Sequence, residues 1–298
     1  WMPSVSNFVI KQFSGLIKRT AQFHLKRSLP PVSRVTWKKW MKKHQPTSTP
    51  TQEKKVYIFI DEFIDLNEAE IGIKTVQLLE ALGYEVEYKE HAESGRAAFS
   101  KGFLEHGRRL ATRNVEVFRS ILTEEDAVVV GVEPSAVLSF RDEYPEILRG
   151  ELQQDAMKLS TRVWTIEEFL YQELLHKRIN ADAFDQSHRK IAVHLHCHYK
   201  AMASKEAALA LLSLPGNHHV EYIPSGCCGM AGSFGFEKEH FDLSMQIGEL
   251  VVLPAMRNLE SDVIPVAQGV SCRHQVLDGA GMKALHPVEV LYEAVKKN

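Results

Sequence analysis

A chain of 298 residues that is 44% hydrophobic and 25% charged has ample apolar surface for a core, which excludes a disordered or fibrous polymer and allows one large domain or two modest ones. No apolar run is long enough to span a bilayer and nothing at the start resembles a cleavable signal, so a cytoplasmic protein with reduced cysteines is expected. The net charge of −2 hides an asymmetry: residues 1–50 hold ten Lys or Arg and no Asp or Glu, leaving 26 basic and 38 acidic residues to the remainder.

Residues 1–51 read as a basic connector, helical or extended. The sequence begins at Trp1 instead of a methionine, which marks it as a candidate fragment of a longer polypeptide. "RVTWKKWMKKHQP" offers charge to nucleic acid or an anionic membrane. One basic arm on an acidic body is weak ground for nucleic-acid binding. No nucleic-acid partner is expected; a connector lying along an acidic partner surface is preferred, with peripheral membrane association as the alternative. "QPTSTPTQEKK" (45–55) is polar and punctuated by proline, as linkers are.

Short β-branched runs then alternate with amphipathic ones. "VYIFID" (56–61) predicts a buried strand, and "NEAEIGIKTVQLLEALGY" a helix capped by Asn67 with Gly83 past its end. "EVEYKE" predicts a strand, 101–121 a helix, "DAVVVGV" (126–132) a strand, and "PSAVLSFRDEYPEIL" the start of a helix. Residues 151–180 read as further helices. The alternation restarts with "IAVHLHCHYK" (191–200) as a strand, "SKEAALALLSL" as a helix and "HHVEYIPS" as a strand. A glycine-rich loop, a helix near 237–253, a strand at "DVIPVAQGV" (262–270) and a last helical stretch complete the chain. Such alternation predicts an α/β fold of parallel βαβ units with right-handed crossovers.

The two halves resemble each other. "HAESGRAAFSKG" follows the second strand of the first half as "SGCCGMAGSFG" does in the second, and "GVEPSAVLSFRD" corresponds to "GVSCRHQVLDG". Glu93 then aligns with Cys227, Ala136 with Cys272, and Cys197 falls opposite the Asp61–Phe63 turn. The expectation is a pair of duplicated Rossmann-like lobes with parallel sheets, pseudo-two-fold related. The first spans 52–150 without cysteines, 151–184 supplies bridging helices, and 185–298 carries the cysteines.

All four cysteines lie between 197 and 272, each at the end of a strand. In doubly wound sheets those ends converge on one edge, where ligands bind. Cys197, Cys227, Cys228 and Cys272 are therefore candidate ligands of one metal site, and no catalytic residue is assigned. Gly226, Gly229 and Gly232 would let the backbone turn sharply and approach an inorganic core. Arg273, His274 and Lys200 are flanking cations. Strand alternation puts His194, His196 and His198 on one face and Cys197 on the other. His194 and His196 are accordingly expected to be packed, hydrogen-bonded residues, and His198 is kept as a further candidate ligand. Four thiolates suit zinc or an iron–sulfur cluster on softness, and the adjacent pair favours the larger cluster. In the cysteine-free half, Glu93, Arg96 and Glu133 replace ligands with charge. Arg96 either grips a substrate carboxylate or braces Glu93 or Glu133, with the brace preferred.

The pattern "C…GCCGMAGSFG…SCRHQ" resembles the cysteine-rich CCG-domain family, found in the heterodisulfide reductases. It is most similar to the C-terminal region of fused FAD-linked dehydrogenases of D-2-hydroxy acids such as D-lactate, glycolate or D-2-hydroxyglutarate. The resemblance implies that the four cysteines hold a 4Fe-4S iron–sulfur cluster, or alternatively zinc. It implies an electron-transfer module inactive alone, with FAD, a ferredoxin-like domain and the 2-hydroxy-acid substrate held in separate domains or partners. The alternative is a zinc-stabilised docking module without redox activity. The family's second motif commonly ends in CxxC; Gln275 stands where the last cysteine would be.

Overall fold

Short parallel strands carry the β-branched runs of this chain and gather into two separate sheets. The computed structural model describes residues 2–46 and 49–296; Trp1 lies outside them, as do residues 47–48 of the linker and 297–298. In the first sheet β1 (Lys55–Phe59), β2 (Glu85–Glu87), β3 (Val128–Gly131) and β4 (Val163–Thr165) take the order β2-β1-β3-β4. In the second, β5 (Arg189–His194), β6 (His218–Tyr222) and β7 (Val263–Ala267) take the order β6-β5-β7. Every pair is parallel. The first strand of each half therefore lies between its second and third.

The inner strands β1, β3 and β5 are covered on both faces, which is why they read as near-continuous apolar runs, whereas the edge strands β2 and β6 carry exposed polar residues. In β1, Val56 and Ile58 face one cluster while Tyr57 and Phe59 face another. In β5, Ala192 packs beside Met230 and Cys272, and Ile191 and Val193 beside Tyr199 and Val290. The largest cluster crosses between the halves: Val76, Leu79 and Ile166 share it with Leu211, Val288 and Leu291. Helix Ile166–Leu175 packs on helix Lys205–Leu212, and helix Pro287–Ala294 packs on helix Ala69–Ala81. Each half thus lays its last helix on the other's first long helix. A reciprocal capping box starts each of those last helices, Thr165 with Glu168 and His286 with Glu289.

Two local expectations are corrected. Residues 151–180 contain β4 as well as helices, because Val163–Thr165 pairs in parallel with β3. Three residues between helical patterns show no alternation that could be read. Asn67 does not cap the first long helix. Asp61 caps a short helix, Glu62–Leu66, through bonds from the amides of Phe63 (2.9 Å) and Ile64 (3.2 Å). The chain breaks at Asn67, whose side chain donates to Pro31 O, and restarts at Ala69–Ala81.

The basic segment embraces both halves. It forms helices Pro3–Thr20 and Trp37–Met41, with Trp37 fully buried in the cross-half cluster. Arg27 is equally buried, against the second half. No helix among the described residues is long and apolar enough to cross a membrane.

Candidate metal centre

The centre is assembled from three chain turns at the carboxyl ends of β5, β6 and β7. After β5, His196 caps helix Cys197–Met202, its Nδ1 accepting from the His198 amide at 3.2 Å. Cys197 opens that helix at the surface. After β6, Cys227 is half-buried and Cys228 buried. Gly229 then takes a left-handed conformation at φ +96°, and a Cβ there would stand 2.1 Å from Ser244 O, so only glycine fits. Its amide donates to Cys227 Sγ at 3.3 Å. Gly232 is also left-handed at φ +65°, whereas Gly226 needs no such freedom. Cys272 lies in the first turn of helix Val270–Ala280, fully enclosed.

The four sulfurs run as a file from surface to core. Interaction with Cys197, then Cys228, holds the Cys227 thiol well below its ordinary value, and the neighbouring Cys228 does the same for Cys272. Cys197 and Cys228 are pushed up, first by Cys227 in each case. Each thiol acts on its neighbour, as in a set of close sulfurs that resist ionising together without an external cation. At its inner end, Cys228 Sγ, Cys272 Sγ and a ring nitrogen of His194 lie within 4.8 Å of one another. These are soft sulfur and borderline nitrogen donors, the set that zinc and iron–sulfur centres take.

Residues 191–276 match the CCG family, described as a cysteine-rich domain. This stretch is similar to the CCG domain, and we call it by that name. Over 98% of this chain the sequence is 28% identical to D-2-hydroxyglutarate dehydrogenase of Pantoea ananatis, of which it covers 28%. It is 25% identical over 96% of the chain to one subunit of the anaerobic glycerol-3-phosphate dehydrogenase of Escherichia coli (strain K12), covering 70% of that protein. Lactate utilization protein A of Bacillus subtilis is 26% identical over 80% of the chain, covering 98% of that protein. The chain thus spans little more than a quarter of the first of these relatives.

The histidines of the CCG domain are arranged differently from a continuous strand, because β5 stops at His194. His194 is fully buried beside the cysteines. His196 serves as a helix cap, and His198 Nε2 sits 3.2 Å from Asp142 Oδ2 of the other half, its basicity lowered chiefly by burial. Of the flanking cations, Lys200 stays close: Nζ donates to the carbonyls of Ser225 and Gly226 (2.6 Å), and all four sulfurs act on its charge. Arg273 turns instead to Glu68 and to the Ala267 and Gln268 carbonyls. His274 lies among Glu68, Asp278 and the two arginines.

Arg27 is the residue that sequence reasoning missed, since nothing separates it from the other cations of the basic arm. Its guanidinium donates to Gly235 O (2.6 Å), Gln275 Oε1 (2.7 Å) and Ser244 Oγ (2.8 Å), and pairs with Asp278 at 3.4 Å. Its charge reaches Cys228. Gln275 in turn donates to Ser244 O at 2.9 Å.

The charged residues of the cysteine-free half are engaged. Glu133 caps a helix, accepts from Ser135 Oγ at 2.8 Å, and reaches across to the Val270 amide of the CCG domain at 2.8 Å. Glu93 lends its carbonyl to Asn114. Arg96 pairs with Glu143, a partner other than the two expected.

Proposed function

We propose that this chain is an electron-transfer module of a flavin-dependent dehydrogenase acting on a D-2-hydroxy acid, with a 4Fe-4S cluster held by Cys197, Cys227, Cys228 and Cys272. The observation that carries the reading is that four sulfurs from three separate turns interact in series, with Cys228 and Cys272 gathered beside His194. When bound, such a cluster supplies reversible one-electron acceptance. The chain's own contribution is electrostatic and positional. The Gly229 amide donates to a sulfur, while Lys200 and Arg27 place positive charge against a centre that gains negative charge on reduction. Cys197 is exposed, which gives an electron from a separate flavin or ferredoxin-like domain a short path in. FAD and the hydroxy acid would be held by that partner, in keeping with relatives named as dehydrogenases and with the part of their length that this chain spans.

The scaffold reads as two duplicated Rossmann-like lobes preceded by the connector 1–51, with 151–184, expected only to bridge 52–150 and 185–298, supplying β4 and the last helix of the first lobe. Support comes from the matching strand order and the reciprocal packing of each last helix.

One observation favours zinc as the second reading. The three donors at the inner end lie within 4.8 Å of one another, close to the separation of about 3.8 Å between ligands of one tetrahedral ion at a metal–sulfur distance of about 2.3 Å. Anaerobic purification followed by iron, sulfide and zinc analysis and a visible spectrum separates the two. Iron with sulfide, and a colour bleached by dithionite, is the expected result. Colourless protein with one zinc per chain would establish the docking role in its place.

A further inference from the structure

A metal at the cysteines leaves one buried donor to be explained. His194 is fully enclosed at the end of β5. Its Nδ1 is 2.6 Å from Ser225 Oγ, and its Nε2 has no hydrogen-bond partner among the described residues. A buried polar nitrogen without a partner costs on the order of 1–3 kcal/mol, so an orphan beside two sulfurs calls for a reason.

Its hydrogen bonds accommodate a proton on Nδ1. With the Ser225 hydroxyl turned to Ile223 O at 3.4 Å, its oxygen accepts from Nδ1–H at 2.6 Å. In that tautomer Nε2 offers its lone pair toward Cys228 and Cys272. A ligating imidazole is held in this way, with one nitrogen donating to a fixed oxygen and the other on the metal. Gln275, the position where the resemblance places a fifth cysteine, cannot take that role. Its amide oxygen accepts from Arg27 and its amide nitrogen donates to Ser244 O.

We propose that His194, through Nε2, is the fifth protein donor of the centre, making it a mixed imidazole–thiolate site. The proposal rests on the metal reading above. A neutral imidazole in place of a fifth thiolate leaves the site one negative charge lighter, which favours acceptance of an electron, as histidine-for-cysteine replacement does in Rieske centres.

The test uses the full chain purified anaerobically with its own metal. His194→Phe should lower metal retained after a chelator challenge by at least tenfold, and Ser225→Ala, which frees the ring without removing it, by about tenfold. Wild-type protein grown with 15N-histidine supplies a readout independent of variant folding. Pulsed EPR of the paramagnetic centre (the reduced cluster, or cobalt(II) in place of zinc) should show a nitrogen coupling that changes with the label. Absence of that coupling in wild type, or its persistence with full metal content in His194→Phe, overturns the proposal. Cys228→Ser distinguishes the two levels of failure. If that variant keeps its metal, the metal reading itself falls; if it loses metal while His194→Phe does not, only the imidazole donor falls.

Discussion

The two halves place different chemistry on the same backbone positions. Glu62 is the first residue of the helix after β1, and Cys197 the first of the helix after β5. Ala136 and Cys272 are each the third residue of the helix that follows the third strand. Between them, the loops after β2 and β6 turn on left-handed glycines, Gly95 at φ +76° and Gly229 at φ +96°, with Ser94 and Cys228 just before. In the first half the site closes on itself: Glu62 accepts from Ser94 Oγ at 3.1 Å and from its amide at 3.2 Å, and Ala136 asks for nothing. In the second half the sulfurs face one another and His194 keeps a free nitrogen. The same strand ends can therefore support either hydrogen-bond closure or an open ligand set. What separates them is whether the donors and acceptors supplied can satisfy each other without an external partner.

The sharpest way to break this comparison is to remove one side of it. Cys228→Ser or Cys272→Ser should reduce bound metal at least tenfold, whereas Glu62→Gln should leave metal content unchanged, both read by elemental analysis of anaerobically purified protein. Equal effects in the two halves would mean that the first half also binds metal.

Next in size is the brace that only the cysteine-bearing half possesses. Arg27→Met leaves Asp278, Gln275 and Ser244 without their cation and should cost about 3–5 kcal/mol, seen as a lower urea midpoint at unchanged slope. A loss below about 1 kcal/mol would show that the basic arm merely rests on the domain.

A third prediction concerns the seam between the halves. Glu167 is fully buried, its oxygens have no hydrogen-bond partner among the described residues, and Gln268 is a polar neighbour from the other half. Burial pushes its carboxyl from the ordinary 4.5 up to about 7. The folded protein then holds a proton that the unfolded chain has released, so stability falls as pH rises from about 4.5 through 7. By pH 8 the loss is about 3 kcal/mol, and Glu167→Gln should abolish it. Thermal unfolding of both proteins from pH 5 to 8 checks this; parallel curves would contradict it.

The smallest effect lies in the closed site. Ser94→Ala removes one hydroxyl donor from Glu62 and should cost about 1 kcal/mol in unfolding free energy with no change in metal content. Any metal loss would show that the two sites are coupled.

Much of this architecture was legible in the amino-acid order. The β-branched runs of β1, β3 and β5 announced parallel strands because strands covered on both faces are apolar throughout, and each cysteine does follow a strand. Gly229 was read as letting the backbone approach an inorganic core; the close approach the structure shows is to Ser244 O, 2.1 Å from a hypothetical Cβ.

Three features were decided only by tertiary structure. β4 is too short to carry a period, and it exists because β3 offers an open edge. Arg27 has the same local chemistry as its basic neighbours and differs in meeting Gly235, Ser244 and Gln275, over two hundred residues away in the chain. His194 was placed by alternation on a face away from Cys197, but alternation holds only while the strand continues. β5 ends at His194, the chain turns into the helix of Cys197, and the ring is left beside Cys228 and Cys272. Periodicity is a property of neighbours along the chain; which side chains share a buried site depends on where the chain stops repeating, and packing between distant segments sets that.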